Sequence, residues 1–331
     1  MQKTGINWSV CCAVAFIWFT TQFGGGFASG RQIIDYFVSY GWYAVFTPML
    51  AQGLMAVLFY FVLKLAFLHG LRNYSEYTRT LYGRAARFMC PLFELVFNLT
   101  LCIATAVAFA TGGSMLTELL GIPYLVSTLI IAVIMFVLTI FGHTLVQKAA
   151  TFMSVIIVAG MLAVFVPNLI YMSDTFGDSF RVLTEQSRPL GSALWIMLLY
   201  VSFQGPALGA YVAHVQSFKS VREIGWSMFI GFIVNSAVIM LTSLGMIAIY
   251  TVPGTLTDPL PILVMVNHGI GSEILKPVIS VLIFLGALST GVSFVYGVVN
   301  RLTAWVGRND SPEKKHAGKR SRNMLFSILY I

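Results

Sequence analysis

The chain has 331 residues, 58% hydrophobic and 10% charged, with a formal net charge of +8 and a mean hydropathy of +0.84. Soluble domains carry about 25% charged residues, so the composition excludes an ordinary globular domain and points to an integral membrane protein. The four cysteines and five histidines are scattered without metal-ligand spacing, which leaves a metal cluster without support.

Stretches free of Asp, Glu, Lys and Arg run over residues 4–30, 36–63, 95–117, 119–147, 149–173, 189–218, 224–257 and 277–300. Each is long enough for the roughly 20 residues a spanning helix needs, and the alternation of barrel strands is absent. Lys3 ahead of an apolar run imitates a signal peptide. The apolar sequence continues well past Ala13-Val14-Ala15, so a retained first helix is expected. With the N-terminus inside, 16 of the 20 Lys and Arg face the cytoplasm and only Arg31, Arg181, Arg188 and Lys276 lie outside. That asymmetry is the positive-inside rule, so the basicity reports topology in a plasma (inner) membrane rather than a nucleic-acid partner.

The first span carries TTQFGGGFASG at residues 20–30. Three consecutive glycines cost roughly 1 kcal/mol each in helix propensity, and an unwound turn in lipid survives only where protein buries it or a cavity needs it. The spacing Gly26-x-x-x-Gly30 also suits close helix approach, but it does not account for the whole run. A discontinuous first helix is therefore predicted, resuming over residues 27–37. The second span returns inward. Beyond it Leu71, Tyr74, Thr78, Leu81 and Ala85 form a stripe three or four apart, which predicts a helix lying in the interface.

Glu94 opens the third span, and an intramembrane carboxylate is a functional candidate by default; pairing with Arg87 or Lys148 is the structural alternative. The fourth helix follows Pro123, and the fifth starts near Thr144 with Lys148 close to its cytoplasmic end. The polar connection SDTFGDSFRVLTEQSRP then separates two halves, 8–173 and 189–331. In the sixth span Gly205-Pro206 breaks the helix, since proline lacks an N–H and clashes with the preceding turn. Setting Phe23 over Phe203 aligns Gly25 with Gly205. The odd helix offset makes the two spans cross in opposite directions, and interrupted segments at matched places in inverted halves point to a transporter's binding site. After the seventh span, the Pro- and Gly-rich stretch 251–272 contains a piece too short to cross, which is expected to dip back as a lid. The eighth span carries GALSTG at residues 286–291, and the apolar stretch from Met324 reads as a ninth helix cut short.

With FGGGFASGRQIIDYF at 23–37, the Gln204-Gly205-Pro206 break, LVQKAAT at 145–151 and GALSTG in place, the chain resembles the YkvI-type membrane proteins. These are a branch of the amino acid, polyamine and organocation transporter superfamily with the LeuT fold. The resemblance implies an all-α polytopic protein of inverted repeats, with Gly24, Gly25, Gly26, Phe203, Gln204 and Gly205 lining a substrate site. It also implies a sodium site from the carbonyls of Thr20, Phe23 and Gly286 and the hydroxyls of Ser289 and Thr290. Relatives without that site use a lysine on the fifth helix, which keeps Lys148, with Glu94, as a proton-coupling candidate.

The function expected is cation-coupled symport of a small amino acid or related nitrogen-containing solute. The alternatives are a channel, for which no filter motif is present, or a non-transporting sensor or scaffold of the same fold. Paired carboxylates, an activated nucleophile and the GxxxxGK[ST] phosphate loop are all missing from the sequence, which argues against an enzyme or an ATP-driven pump.

Overall fold

A computed structural model describes residues 5–71, 74–205, 211–212, 214–306 and 325–326. The first span is two pieces. Helix α1 (Trp8–Gln22) starts on Asn7, whose side chain accepts from the Val10 N–H, and stops at Phe23. A single turn, α2 (Gly25–Ala28), follows after an extended Gly24. The expected continuous second half-helix over 27–37 is itself divided. Gly30 takes φ +83° and separates α2 from α3 (Arg31–Tyr36), a left-handed turn that glycine makes without strain.

Helix α4 (Thr47–Leu68) is the second span. The interfacial stretch forms α5 (Tyr74–Tyr82) and leads into α6 (Ala86–Leu120). The third to fifth spans continue with α7 (Tyr124–Val137) behind Pro123, a π turn at Leu138–Gly142, and α8 (His143–Tyr171). The second half opens with α10 (Leu190–Gln204). It proceeds through α11 (Val221–Ala248), α12 (Pro261–His268) and α13 (Ser272–Val306).

Residues 173–189, expected as a polar connection, instead contain α9 (Ser173–Glu185), bent 85° from the helix before it. Its polar composition hides one apolar edge. Leu183 is buried, Phe176 and Phe180 pack against the core, and Ser179 donates to the Ala248 carbonyl at 3.1 Å. Five described helices are long and apolar enough to cross a membrane, six if the bent pair counts as one span, and α1 and α10 are shorter apolar helices. Together these eight elements account for the eight apolar stretches. On α7, Leu125, Leu129 and Val133 are 60 to 72% exposed at the i, i+4, i+8 spacing of one helix face, a surface that water would disfavour and hydrocarbon accepts.

The helices pack as two groups. Helix α11 packs on α1 and α4, and α10 on α4, whereas α13 lies along α6 and touches α7; α8 packs on α1, α11 and α13 and joins the two groups. The turn α2 belongs to the first span yet packs on α6 and α13. The break therefore sits where the chain crosses from one group to the other.

Candidate functional site at the break in the first span

At the break the backbone changes partners. The Gly24 N–H turns to the Gln22 carbonyl at 2.8 Å rather than to Thr20, four residues back, so the Thr20 carbonyl loses its helical donor. The Thr20 hydroxyl is spent on its own helix, on the Phe16 carbonyl at 2.9 Å.

Helix α13 comes close because glycines face it. A methyl built at Gly24 would lie 3.1 Å from Thr290 Cγ2 and 3.5 Å from its Oγ1; one built at Gly286 would lie 3.2 Å from the Phe23 ring and 3.4 Å from the Phe23 carbonyl oxygen. Phe23, Gly24, Gly286 and Thr290 are thus brought into one region. Ser289, half-buried, is on the same turn of α13. Thr290 Oγ1 is buried and hydrogen-bonds to nothing among the described residues. A buried polar atom left so costs roughly 1–3 kcal/mol, and hydroxyl and carbonyl oxygens are the donors a hard cation takes.

The glycines expected to line a solute are pressed against walls. Beyond Gly24 on Thr290, a methyl at Gly25 would lie 3.0 Å from Thr111 on α6 and 3.2 Å from the Ala108 Cα, and one at Gly26 would lie 2.9 Å from the Gln32 side chain. Gly24 and Gly25 thereby let α13 and α6 come close. Gly205, by contrast, has nothing described within 4 Å of its Cβ position, and Phe203 and Gln204 are half-buried at the end of α10. The sixth span was expected to unwind near Gln204 to Pro206; α10 ends at Gln204, and residues 206–210 lie outside the described residues.

A polar cluster that the sequence reading passed over lies beside the break. Gln22, the last residue of α1, donates its Nε2 to the Tyr200 hydroxyl at 2.8 Å. Gln52 of α4 and Gln204 approach the same hydroxyl, although neither end of the Gln52 amide reaches hydrogen-bond geometry, and Gln22 Oε1 is also unpaired. Gln22, Gln52 and Tyr200 are at most 4% exposed. Of the eight buried, unpaired side-chain polar atoms among the described residues, four belong to Gln22, Gln52 and Thr290. The signal in the sequence was an uncharged amide inside an apolar span, which a scan for charges does not register.

Of the proton-coupling candidates, only Glu94 has a described side chain. Glu94 accepts from the Tyr74 hydroxyl, and Tyr74 stacks on Phe97 at a centroid distance of 5.7 Å; Arg87 is not its described partner. The side chain of Lys148 lies outside the described residues. No group of three His, Cys, Asp or Glu suited to a metal occurs among the described residues.

An all-helical chain with several apolar spans, a first span broken at a helix-group boundary and a short apolar helix opening its second half defines a multi-pass membrane protein of the LeuT-type transporter fold. Its fold is similar to that of a Na+-coupled sialic acid symporter in a substrate-bound outward-open state, with a TM-score of 0.66 and 15% identity over 97% of this chain and 71% of that one. It is also similar to the manganese transporter of Eremococcus coleocola, with a TM-score of 0.53 and 14% identity over 100% of this chain and 78% of that one. Both are transporters rather than enzymes. In sequence, the chain is 27% identical over 117 residues to the uncharacterized membrane protein YkvI of Bacillus subtilis, so the resemblance to YkvI-type proteins holds. That match spans 35% of this chain and 33% of YkvI, about a third of each. No family model matches.

Proposed function

We propose that the chain is a secondary active transporter that carries a small amino acid or related nitrogen-containing solute together with a cation, sodium in the first place. One observation carries this reading. Thr290 Oγ1 is buried without a partner opposite Gly24, at the point where the first span gives up its helical bonding. The Thr20, Phe23 and Gly286 carbonyls and the Ser289 and Thr290 hydroxyls would hold the ion, and such a set of neutral oxygens suits sodium. The solute would lie beside it, along the ends of α1 and α10 and the residues Phe203, Gln204 and Gly205. Substrate and cation binding by the solved neighbours is consistent with this assignment, at a level of identity that speaks for fold alone.

Two inverted repeats, 8–173 and 189–331, complete the reading. Their support is that α1 and α10 are each 15 residues long and each ends on a glutamine, Gln22 and Gln204. Matching the helix ends shifts the Phe23-on-Phe203 alignment by two residues. The charge asymmetry of the loops supports a cytoplasmic N-terminus in the inner membrane.

The test is uptake of labelled amino acids into proteoliposomes in sodium or choline buffer at fixed pH, for the wild type and for Ser289→Ala with Thr290→Ala. Sodium-dependent uptake that the double variant loses is the expected result. Equal uptake in both buffers, driven only by a proton gradient, would overturn the sodium site and favour Lys148 or Glu94. A non-saturating flux would favour the channel reading, and ligand binding without uptake the sensor reading.

A further inference from the structure

We infer that Gln22, Gln52 and Tyr200, with Gln204 at their side, form a subsite for an uncharged group that both donates and accepts hydrogen bonds, and that a carboxamide is the group that fits. The inference rests on the transporter reading above and gives the substrate class.

A glutamine amide offers one carbonyl oxygen and two N–H donors. Gln22 spends its Nε2 on Tyr200 and keeps Oε1, whereas Gln52 keeps both Oε1 and Nε2. Flipping the Gln22 amide exchanges a spare acceptor for a spare donor, so the surplus that does not depend on that orientation is the Gln52 amide, one acceptor and one donor group. A carboxamide matches it, its NH2 reaching Gln52 Oε1 and its carbonyl taking the Gln52 N–H. A carboxylate carries acceptors only and would leave Gln52 Oε1 facing an oxygen; an ammonium carries donors only and would leave Gln52 Nε2 unmet.

Charge decides the same way. Among the described residues no Asp, Glu, Lys or Arg hydrogen-bonds to any of the four side chains. The three described ion pairs, Arg31–Asp35, Arg181–Asp178 and Lys276–Glu118, involve other residues. An ionised group here would be buried without a counter-charge, which is far costlier than burying a neutral amide that finds its bonds. The cluster is also held in place. Tyr36 and Phe37 pack edge-on against the Tyr200 ring at centroid distances of 5.4 Å and 5.1 Å, which fixes the hydroxyl that orients Gln22.

The experiment measures thermal unfolding of the purified full chain in detergent against L-glutamine, L-asparagine, L-glutamate, L-aspartate, L-alanine and propionamide, for the wild type, Gln52→Leu and Gln52→Met. Each amide amino acid should bind at least about tenfold more tightly than its acid, the discrimination expected when a buried polar site loses its match. Both variants should erase that preference. Without ligand their unfolding midpoints should not fall, because unpaired polar atoms are exchanged for apolar ones. Equal binding of amide and acid by the wild type, or a preference that survives in both variants, would overturn the subsite while leaving amino-acid transport standing. Binding of propionamide that depends on Gln52, without binding of any amino acid, would keep the subsite and reject the amino-acid reading. No binding of any of the six would overturn both.

Discussion

Gly25→Ala tests whether the glycine run exists for close packing. The new methyl would lie 3.0 Å from Thr111 Cβ and Oγ1 and 3.2 Å from the Ala108 Cα. A flexible side chain tip yields cheaply, but a Cβ and a Cα do not, so α2 and α6 must separate. Such overpacking costs about 1–3 kcal/mol. Alanine also returns about 0.5–1 kcal/mol of helix propensity, so Gly25→Ala alone understates the clash. Gly177→Ala is the control. Gly177 lies inside α9 and has nothing within 4 Å of its Cβ position, so it gains the propensity without the contact. The difference between the variants isolates the clash. At about 2–4 °C per kcal/mol for a domain of this order, Gly25→Ala should unfold roughly 2–12 °C below Gly177→Ala in matched detergent. Thr111→Ala should restore only part of the loss, because its Cβ and the Ala108 backbone remain. Equal midpoints, or Gly25→Ala melting higher, would refute the close-packing account.

Glu223→Gln should lower the unfolding midpoint by about 1–3 kcal/mol in equivalent stability and speed hydrogen exchange at the start of α1. The buried carboxylate accepts from the Asn7 N–H at 2.9 Å and the Lys219 N–H at 2.7 Å, and an amide must turn its NH2 toward one of those donors; unchanged exchange would count against the link. Arg31→Ala should speed labelling or proteolysis of residues 251–260 while costing less than about 1 kcal/mol, as expected for a partly exposed pair. The guanidinium donates to the Leu256 carbonyl at 2.6 Å and pairs with Asp35 at 2.7 Å; a loop equally protected in the variant would show that it is held by other contacts. Ile262 N–H, which donates to the Ser29 carbonyl at 3.1 Å, is the contact expected to remain.

The spans were legible because lipid permits no charge over about 20 residues, and the first break because nothing but glycine supplies that run. The short piece near 262–266, expected to dip back as a lid, forms α12, with Ile262, Leu263, Met265 and Val266 buried. Helix α9 was not legible, since its apolar edge is diluted by Asp, Gly, Ser and Thr and shows only once a core exists to receive Leu183. The interfacial stripe was half right. Leu71, Tyr77 and Thr78 are buried, whereas Leu81, one turn beyond Tyr77 on the same face, is 50% exposed. Gln22, Gln52, Tyr200 and Thr111 were missed for one physical reason. An uncharged polar side chain scarcely alters the hydropathy of a span, and its meaning depends on which other spans it faces.

The break divides the unpaired polar atoms between two structural roles. Gln22, Gln52 and Tyr200 stand on α1, α4 and α10, all within one helix group, whereas Thr290 stands on α13 of the other and faces Gly24 across the boundary. A ligand shifts an equilibrium between arrangements only by its differential affinity for them. A group held solely by the amides touches one side and has little leverage on how the groups sit together; an ion shared by the Thr20 and Phe23 carbonyls and the Thr290 hydroxyl touches both. Moving such an equilibrium from 1:99 to 99:1 takes about 5.5 kcal/mol, and one hydrogen-bonding contact to a charge supplies about 1.5–3 kcal/mol. Thr290 alone would therefore be insufficient, and under the proposed sodium site the Thr20 and Phe23 carbonyls would have to contribute the remainder. It follows that Thr290→Ala should weaken the sodium dependence, Gln52→Leu should alter which solute is taken, and the two effects should combine with little coupling.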